Sequence, residues 1–245
     1  MTDSSRKPRV LITGASRGIG RATMRYLADK GYQVTGLARS IPADARADEQ
    51  FIACDLMDLE GTRALVSELA AQEAFYGLVN NAALAHTTDL AHTSVADMNE
   101  AMALNVNACL VCMQALLPGM RQARAGRVVN ISSRAALGKP NRTAYSATKA
   151  AVIGMSRTWA LELATDQITV NVIAPGPVAT ELFKTASPPG APQTEALLAA
   201  VPLQRVSEPV EIAHAIDFLL HPLAGYITGQ TLHIDGGLTI SATRL

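Results

Sequence analysis

The chain has 245 residues, of which 49% are hydrophobic and 4% aromatic, and this length is enough for one domain or two. Its 21 basic and 21 acidic residues balance, so no net field would draw the protein to nucleic acid or to an anionic membrane. The polar start, MTDSSRKPRV, lacks the apolar region of a secretory signal, and no stretch approaches the roughly 20 apolar residues of a membrane span. We therefore expect a cytoplasmic protein that binds neither nucleic acid nor membrane.

Short runs rich in β-branched residues alternate with longer helical patterns along the chain. Strands are predicted at 9–13, 33–38, 50–54, 77–81, 127–132, 168–174 and 231–235. Helices are predicted at about 19–30, 58–73, 97–124, 143–164 and 208–220. Most of the strands are apolar without strict alternation, which is typical of strands covered on both faces. This order predicts an α/β fold, a Rossmann-like doubly wound parallel sheet of about seven strands with helices on both faces.

No repeat or change of composition marks a second domain, so residues 1–245 are predicted to form a single one. The segment 180–206 stands apart, because four prolines and Gly190 interrupt any long helix there (Pro188, Pro189, Pro192 and Pro202). An insertion of this length late in an α/β fold is usually a substrate lid or a binding loop. A surface excursion without a role would have the same composition.

The cysteines and histidines do not suggest a metal site. Cys54, Cys109 and Cys112 are too few for a disulfide framework, and free thiols are expected. Cys109 and Cys112 form a C-x-x-C inside a long helical pattern with no second pair, so they are interpreted as small buried residues. The five histidines show no ligand spacing, and His86 and His92 are at most pocket-lining.

A glycine-rich turn, TGASRGIGRA, follows the first predicted strand directly. Its glycines, Gly14, Gly18 and Gly20, would let the backbone turn sharply and approach a ligand, and the helix N-terminus would present free N–H groups to a pyrophosphate. The spacing is neither that of a P-loop nor the usual G-x-G-x-x-G. Its position between strand and helix predicts a dinucleotide site.

The end of the second strand indicates which dinucleotide is bound. A cofactor with a free ribose 2′-hydroxyl usually meets an acidic residue there. This chain has Ala38 followed by Arg39, and Arg17 inside the glycine loop is a second cation. Because a guanidinium pairs well with a 2′-phosphate, NADP is favoured over NAD. Asp55, after the third strand, could meet the adenine edge or cap the next helix, although Asp58 is the better cap.

The predicted helix at 143–164 begins with the sequence TAYSATK. Tyr145 and Lys149 are four residues apart and share one helix face, and a neighbouring cation favours the phenolate form of a tyrosine. Such a tyrosine could protonate a carbonyl oxygen or deprotonate an alcohol. Ser133, at the carboxyl end of the fifth strand, would point into the crevice where open α/β sheets bind ligands. Ser132 would point the other way, since side chains alternate along a strand.

Taken together, these motifs resemble the short-chain dehydrogenase/reductase family, specifically its short single-domain branch. The matching segments are TGASRGIG (13–20), NNA (80–82), Asn105 in MALNVNA, Ser133, Tyr145 and Lys149, PGPVAT (175–180) and YITGQTLHIDGG (226–237). The resemblance covers essentially the whole chain. It implies one NAD(P)-binding domain with a lid at about 180–206, and a homotetramer.

The resemblance also implies roles for individual residues. Tyr145 would be the acid–base residue, Lys149 would favour its phenolate and hold the nicotinamide ribose, Ser133 would orient the substrate, and Asn105 would anchor a water in a proton relay. Cofactor contacts are expected from a larger set: Gly14, Ser16, Arg17, Gly18, Ile19, Gly20, Arg39, Asp55, Leu56, Asn81, Tyr145, Lys149, Pro175, Gly176, Val178 and Thr180.

Two departures from the family pattern are visible. The family usually has N-N-A-G where this chain has NNAA, so Ala83 replaces a glycine, which is tolerable only if the local φ is negative. The segment between Ser133 and Tyr145 is also about one residue short. That segment lines the pocket, so it weakens any inference about the substrate.

The function that these residues predict is NADP(H)-dependent hydride transfer between the nicotinamide and a ketone or secondary alcohol. The sequence is similar to 3-oxoacyl-(acyl-carrier-protein) reductases and carbonyl reductases, so the substrate could be an acyl thioester. A basic patch for a carrier protein could involve Arg121, Arg124 and Arg127, or Arg142. The alternatives are an NAD-dependent secondary-alcohol dehydrogenase and a non-catalytic nucleotide-sensing protein. The latter would be expected to lack part of the set Asn105, Ser133, Tyr145 and Lys149, which is intact here. An epimerase or dehydratase of the longer sister branch would need a larger C-terminal region.

Overall fold

The computed structural model describes residues 8–188 and 190–241. Seven strands form one sheet: β1 (Arg9–Thr13), β2 (Gln33–Ala38), β3 (Glu49–Ala53), β4 (Gly77–Asn80), β5 (Gly126–Ile131), β6 (Ile168–Pro175) and β7 (Thr231–Ile234). Every neighbouring pair is parallel, in the order β3-β2-β1-β4-β5-β6-β7. The strand order reverses between β1 and β4, which opens a crevice at the carboxyl ends of these strands. The predicted doubly wound parallel sheet is confirmed.

Within the described residues, eight α-helices connect or flank the strands: α1 (Gly18–Asp29), α2 (Leu59–Gln72), α3 (Val95–Met102), α4 (Ala108–Ala123), α5 (Thr143–Leu163), α6 (Glu181–Ala186), α7 (Pro192–Ala200) and α8 (Pro209–Leu220). One core packs α1 and α8 against one face of the sheet, with Met24 and Ile212 fully buried. A second core packs α2, α4 and α5 against the other face, around Val66, Cys112 and Trp159. Both faces are thus covered, which explains why the strands lack alternation.

The helix predicted at 97–124 differs from the observed one in two respects. It begins earlier, at Val95, because Ser94 and Asp97 form a reciprocal capping box. It is also interrupted by a π-helical turn at Ala103–Asn107, in which the N–H of Ala108 bonds the carbonyl of Ala103. One extra residue in a turn leaves the apolar pattern almost unchanged, so the sequence could not reveal the interruption.

The same helical run tests the expectation that no stretch of the chain approaches a membrane span. Val95–Ala123 is long and apolar enough to cross a membrane by length and composition, with a mean hydropathy of 1.5 in its most apolar window. The expectation that no stretch approaches a membrane span was therefore wrong on composition. Cys109, Cys112 and Leu116 of this run belong to the buried core beside the sheet, which accounts for its apolar character.

The segment 180–206 contains two short helices rather than continuous irregular loop. Between α6 and α7 lie residues 187–191, where Gly190 has φ +78°, and Pro192 occupies the first turn of α7. Proline is well tolerated there, because the N–H that it lacks would have no partner in the helix. Pro189, which also belongs to this predicted lid, lies outside the described residues.

The connection between β2 and β3 is held to α1 by a network of ion pairs. Glu49, at the start of β3, has a fully buried side chain that meets Arg21 at 2.9 Å and Arg25 at 2.8 Å. The same two arginines reach Asp44 in the connecting loop. Burial by itself raises the pKa of the Glu49 carboxyl, but hydrogen bonds from Arg21, the Arg46 backbone and Arg25 outweigh it and lower that pKa to about 2.

We predict that Glu49→Gln lowers the stability of the protein at neutral pH, because two arginines lose a buried partner. Since the folded-state pKa lies below the unfolded-state value, ionised Glu49 stabilises the wild type fully above its unfolded pKa. This advantage is lost as the pH falls towards the folded pKa. Urea unfolding of both proteins should therefore give free energies that converge as the pH falls from about 5 to about 2. Glu68→Gln, at an exposed position on α2, is the matched control, and an equal effect of both substitutions would contradict the prediction.

Candidate active site

The glycine turn lies at the carboxyl end of β1 and is closely packed. Gly14 and Gly18 both have positive φ, at +65° and +56°. A Cβ on Gly14 would lie 2.7 Å from the Cα of Ala82, and one on Gly20 would collide with the carbonyl oxygen of Gly14. Only glycine fits at these three positions, because the first two need left-handed backbone and the third has no space.

Asn81 and Thr13 hold this turn against the end of β4. The amide of Asn81 donates to the carbonyls of Thr13 and Gly14, at 3.0 and 3.1 Å. The Thr13 hydroxyl oxygen accepts from the N–H groups of Asn81 and Ala82, at 3.0 and 3.1 Å. Asn81 was predicted as a cofactor residue, but the role of Thr13 was missed. Its position at the last residue of β1, directly before Gly14, is the signal that could have indicated it.

The departure at Ala83 is accommodated by the backbone. Ala83 is not among the four non-glycine residues that have positive φ in the described chain, which are Arg124, Asn141, Gln167 and Gln204. A glycine is therefore not required at this position. The NNAA sequence keeps the local structure without left-handed strain.

The residues after β6 reach back to the glycine turn. Pro175 ends the strand, and the N–H of Gly176 donates to Ile234 of β7. A Cβ on Gly176 would lie 2.7 Å from the Cα of Asp235, so glycine is needed here as well. Val178 is buried, and the Thr180 side chain caps α6 by accepting from the N–H of Phe183.

Thr180 also packs against the glycine turn. Its Cγ2 would lie 3.1 Å from a Cβ placed on Gly18. Two segments separated by about 160 residues in the sequence thus meet at the amino end of α1. Ile19 and Ser16 lie in the same turn, both partly exposed.

The two arginines that favour NADP are free to meet a ligand. Arg17 and Arg39 are exposed, and neither makes a hydrogen bond or an ion pair within the described part of the chain. Arg39 directly follows the end of β2, where no carboxylate is present. The loop that follows Arg39 is held by Arg21 and Arg25 through Asp44, which fixes the backbone next to it.

Asp55 and Leu56 lie just beyond β3. The Asp55 carboxylate accepts from the N–H of Met57 at 3.0 Å and is otherwise exposed, while Leu56 is buried. Asp58 is the cap of α2, accepting from the N–H of Gly61 at 3.0 Å, which confirms the better of the two cap candidates. The Asp55 carboxylate is therefore not needed as a helix cap and is accessible to a ligand. Its hydrogen bond in this structure is to the backbone N–H two residues further on.

Tyr145 and Lys149 lie together on the first turns of α5, as their spacing predicted. Lys149 is 2% exposed, and its ammonium nitrogen is 5.6 Å from the centroid of the Tyr145 ring. That nitrogen donates to the carbonyl of Ile131 at the end of β5, at 2.7 Å. A charged group buried this deeply needs polar partners, and a main-chain carbonyl supplies one.

The two serines after β5 have different environments. Ser132 is buried and donates to the carbonyl of Lys149 at 2.7 Å, which fastens β5 to α5. The Ser133 hydroxyl oxygen accepts from the N–H of Ala135 at 3.1 Å, so its own hydrogen is left to donate. Only Ser133 thus combines partial exposure with an available donor, in agreement with the choice made from strand alternation.

Asn105 lies in the π-helical turn and is almost fully buried. Its side-chain oxygen accepts from the N–H of Leu84, and its amide donates to the carbonyl of Leu84 and to Thr148, all at 2.9–3.0 Å. Thr148 in turn donates to the carbonyl of Tyr145. Asn105 therefore joins the β4–α3 connection to α5 directly under Tyr145. The relay role implied by the family resemblance remains a prediction.

Cys109 and Cys112 are buried, as predicted, whereas Cys54 is partly exposed. Burial raises the pKa of Cys109 to about 11, so its thiol stays protonated, and it donates to the carbonyl of Asn105 at 3.3 Å. Burial also raises the pKa of Cys112. Within residues 8–188 and 190–241, no cluster of three or more His, Cys, Asp or Glu side chains is arranged to hold a metal ion.

The geometry at the amino end of α1 fits a dinucleotide. The backbone cradle around Gly14 and Gly20 has no space for a Cβ, and the helix that follows presents its N–H groups to the crevice. Together with the doubly wound sheet, this cradle places the protein among the dinucleotide-binding α/β enzymes.

Comparison with known proteins identifies the family. A family model described as enoyl-(acyl carrier protein) reductase matches residues 14–239. The 3-oxoacyl-(acyl-carrier-protein) reductase FabG of Vibrio harveyi is 36% identical over 236 residues, covering 93% of this chain and 96% of that protein. The chain therefore belongs to the short-chain dehydrogenase/reductase family of oxidoreductases.

Solved structures agree with this assignment. The aldohexose dehydrogenase of Thermoplasma acidophilum matches with a TM-score of 0.90 and 30% identity, over 98% of this chain and 97% of that one. The structure of ElxO with NADP bound matches with a TM-score of 0.90 and 29% identity, over 96% of this chain and all of that one. One structural neighbour is described as an aldohexose dehydrogenase and the FabG relative as a 3-oxoacyl reductase, so the shared fold does not select a substrate.

We predict that Thr13→Val weakens both folding and dinucleotide binding. Valine has nearly the same shape, but it leaves the partly buried N–H groups of Asn81 and Ala82 without an acceptor, at a cost of up to about 1–3 kcal/mol for each donor. Urea unfolding and titration with NADPH would measure the two effects. Thr13→Ser keeps the hydroxyl and should behave like the wild type in both, whereas equal losses in the two variants would contradict the prediction.

Proposed function

We propose that this protein is an NADPH-dependent reductase of ketones, acting on a carbonyl compound or a 3-oxoacyl thioester. The observation that carries the proposal is the buried Lys149 ammonium 5.6 Å from the ring of Tyr145, at the carboxyl edge of the sheet. The family relationship and the relatives that reduce 3-oxoacyl groups, by their names, support the reaction class.

Ser133 and Tyr145 would both act on the carbonyl oxygen of the substrate, in different ways. Ser133 would donate a hydrogen bond to the substrate oxygen, because its hydroxyl oxygen already accepts from Ala135 and its hydrogen is free. Tyr145 would transfer its proton to the same oxygen, and the Lys149 ammonium lies beside the ring that gives up this proton. The nicotinamide cofactor, when bound, supplies the hydride.

The cofactor would lie along the cradle with its adenosine end towards β2. Gly14, Gly18 and Gly20 would allow close approach of the pyrophosphate, and Thr180 and Val178 would lie near the nicotinamide end. NADP is preferred in this proposal because Arg17 and Arg39 are exposed cations without partners among the described residues, and Ala38 leaves no carboxylate at the end of β2. An NAD-dependent alcohol dehydrogenase is the alternative.

Two further expectations concern the oligomeric state of the protein and the segment 180–206. We expect one domain, cytoplasmic, with residues 180–206 closing over the substrate. A homotetramer is supported by exposed apolar side chains on two faces of the fold. The α8 and β7 face carries Phe218, Leu223, Tyr226 and Leu232, and the α4 and α5 face carries Leu110 and Leu161. β7 is also an edge strand, which leaves one row of its backbone groups unpaired within the sheet.

We predict that Tyr145→Phe abolishes reduction while leaving NADPH binding intact. The substitution removes only the hydroxyl that transfers the proton, so turnover of an acetoacetyl thioester should fall at least ~100-fold, the lower range for acid–base catalysis. NADPH oxidation, followed by ultraviolet absorbance, measures turnover, and fluorescence titration measures binding. Tyr226→Phe, at a fully exposed position, is the control. Substantial residual turnover in Tyr145→Phe would refute this assignment.

A second prediction concerns the choice of cofactor. Arg39→Gln should raise the KM for NADPH by about tenfold and leave the KM for NADH nearly unchanged, because only NADPH carries the 2′-phosphate. Steady-state kinetics with both cofactors checks it, with NADH as the internal control. If both KM values rise equally, Arg39 is structural, and the preference for NADP loses its main support.

A further inference from the structure

The charge of this protein is balanced overall but unevenly distributed along the sequence. Between Glu100 and Glu162 there is no Asp or Glu, although the same stretch contains eight Lys and Arg residues. Several of these cations are engaged. Arg121 pairs with Asp166, Arg124 donates to the carbonyl of Thr165, and Lys149 belongs to the active site.

Three of the remaining cations lie on the loop that joins Ser133 to Tyr145. These are Arg134, Lys139 and Arg142, called here the rim cations. Arg134 begins a single 3₁₀ turn directly after Ser133, and Arg142 immediately precedes α5. Gly138 and Asn141 have positive φ, which folds the connection tightly between the two catalytic residues. The cations are therefore within a few residues of the reacting groups on either side.

This loop is held in place by the opposite wall of the crevice. The N–H of Thr88 donates to the carbonyl of Asn141 at 3.2 Å. The Arg142 side chain donates to the carbonyls of Ala85 and His86, at 3.3 and 3.2 Å. Both contacts join the loop to the connection between β4 and α3. The end of the loop at Asn141 and Arg142 is thus held against the β4–α3 connection.

No carboxylate neutralises the rim cations within the described residues. The acidic side chains on the facing helix α3 are Asp97 and Glu100, and both are directed to His86, at 3.9 and 3.0 Å. Asp97 also forms the capping box with Ser94. Partial burial lowers the pKa of Lys139, and repulsion from Arg142 and Arg134 lowers it further. The loop thus carries three positive groups without a carboxylate partner among the described residues.

We infer that the rim cations bind an oxyanion, a carboxylate or a phosphate, which the substrate carries at a short distance from its reacting carbonyl. An anion at this position would replace mutual repulsion with charge-assisted hydrogen bonds. The inference rests on the proposed reductase function, since the loop is defined by Ser133 and Tyr145. It narrows the substrate class to oxo compounds with an anionic end, and the anion is either the carboxylate of an oxo acid or the phosphate of a thioester's carrier arm.

Matched substrate pairs test this directly. The first pair is 4-oxopentanoate and its methyl ester, which differ in the carboxylate but share the ketone. The second pair is acetoacetyl pantetheine with and without its 4′-phosphate. We expect wild-type kcat/KM to favour the charged member of at least one pair. The double variant Arg134→Gln, Lys139→Gln should reduce that preference at least about tenfold and leave the neutral member unchanged. Arg142 is retained because its hydrogen bonds hold the loop.

Arg157→Gln is the matched control. Arg157 is an exposed cation on α5, 12 residues beyond Tyr145, and it has no hydrogen bond or ion pair among the described residues. It should leave both preferences intact. A preference for the oxo acid alone identifies the carboxylate as the source, and one for the phosphorylated thioester identifies the carrier arm. Equal rates for charged and neutral members of both pairs, or preferences that survive the double variant, would overturn the inference.

A binding measurement separates this inference from the reaction itself. Calorimetric titration of the NADP⁺-loaded protein with the same four compounds requires no turnover. If the charged compound binds more tightly and the double variant loses that difference, the oxyanion site stands even where no ketone is reduced, and the proposed function alone fails. If neutral ketones are reduced but charge changes neither binding nor rate, the proposed function stands and the oxyanion site fails.

Discussion

The hydrogen bond from the Lys149 ammonium to the Ile131 carbonyl is the interaction on which the candidate site depends. A buried cation is costly unless polar groups surround it, and here its position is set by the end of β5. Ser132 fastens the same strand end to the Lys149 carbonyl, so two hydrogen bonds join β5 to α5. Tyr145 lies one helical turn from Lys149 on α5, so the same hydrogen bonds also fix the position of Tyr145.

A second set of contacts holds α5 from the opposite side. Asn105, in its π-helical turn, bonds both the Leu84 backbone and Thr148, and Thr148 bonds the carbonyl of Tyr145. The π turn is what directs Asn105 inward without breaking the long helical run. Tyr145 is thus braced by a strand end and by a helix, and its position does not rely on flexible loop. Rigid support of this kind keeps catalytic groups in productive geometry.

The sequence predicted most of the fold, for identifiable reasons. Strands covered on both faces are apolar throughout, and they alternate with amphipathic helices, so the α/β order and all seven strands were readable. Asp58 and the spacing of Tyr145 and Lys149 follow from short-range rules, which a linear sequence displays fully. The π turn at Ala103–Asn107 and the role of Thr13 were missed. The π turn leaves the apolar pattern almost unchanged, and Thr13 acts through Asn81, 68 residues away in the chain.

The sequence by itself therefore determined the class of fold, the glycine turn, the family and the candidate catalytic residues, because these depend on local spacing and on patterns of burial. Only the tertiary structure decided how these parts meet. Thr180 packs against Gly18, the Asn81 amide donates to the Thr13 carbonyl, and Arg142 donates to the connection after β4. The tertiary structure also decided which cations are neutralised, since Arg121 finds Asp166 while Arg134 and Lys139 find no carboxylate among the described residues. Charge in a sequence is only a count, whereas its effect depends on distance and on burial, which the fold sets.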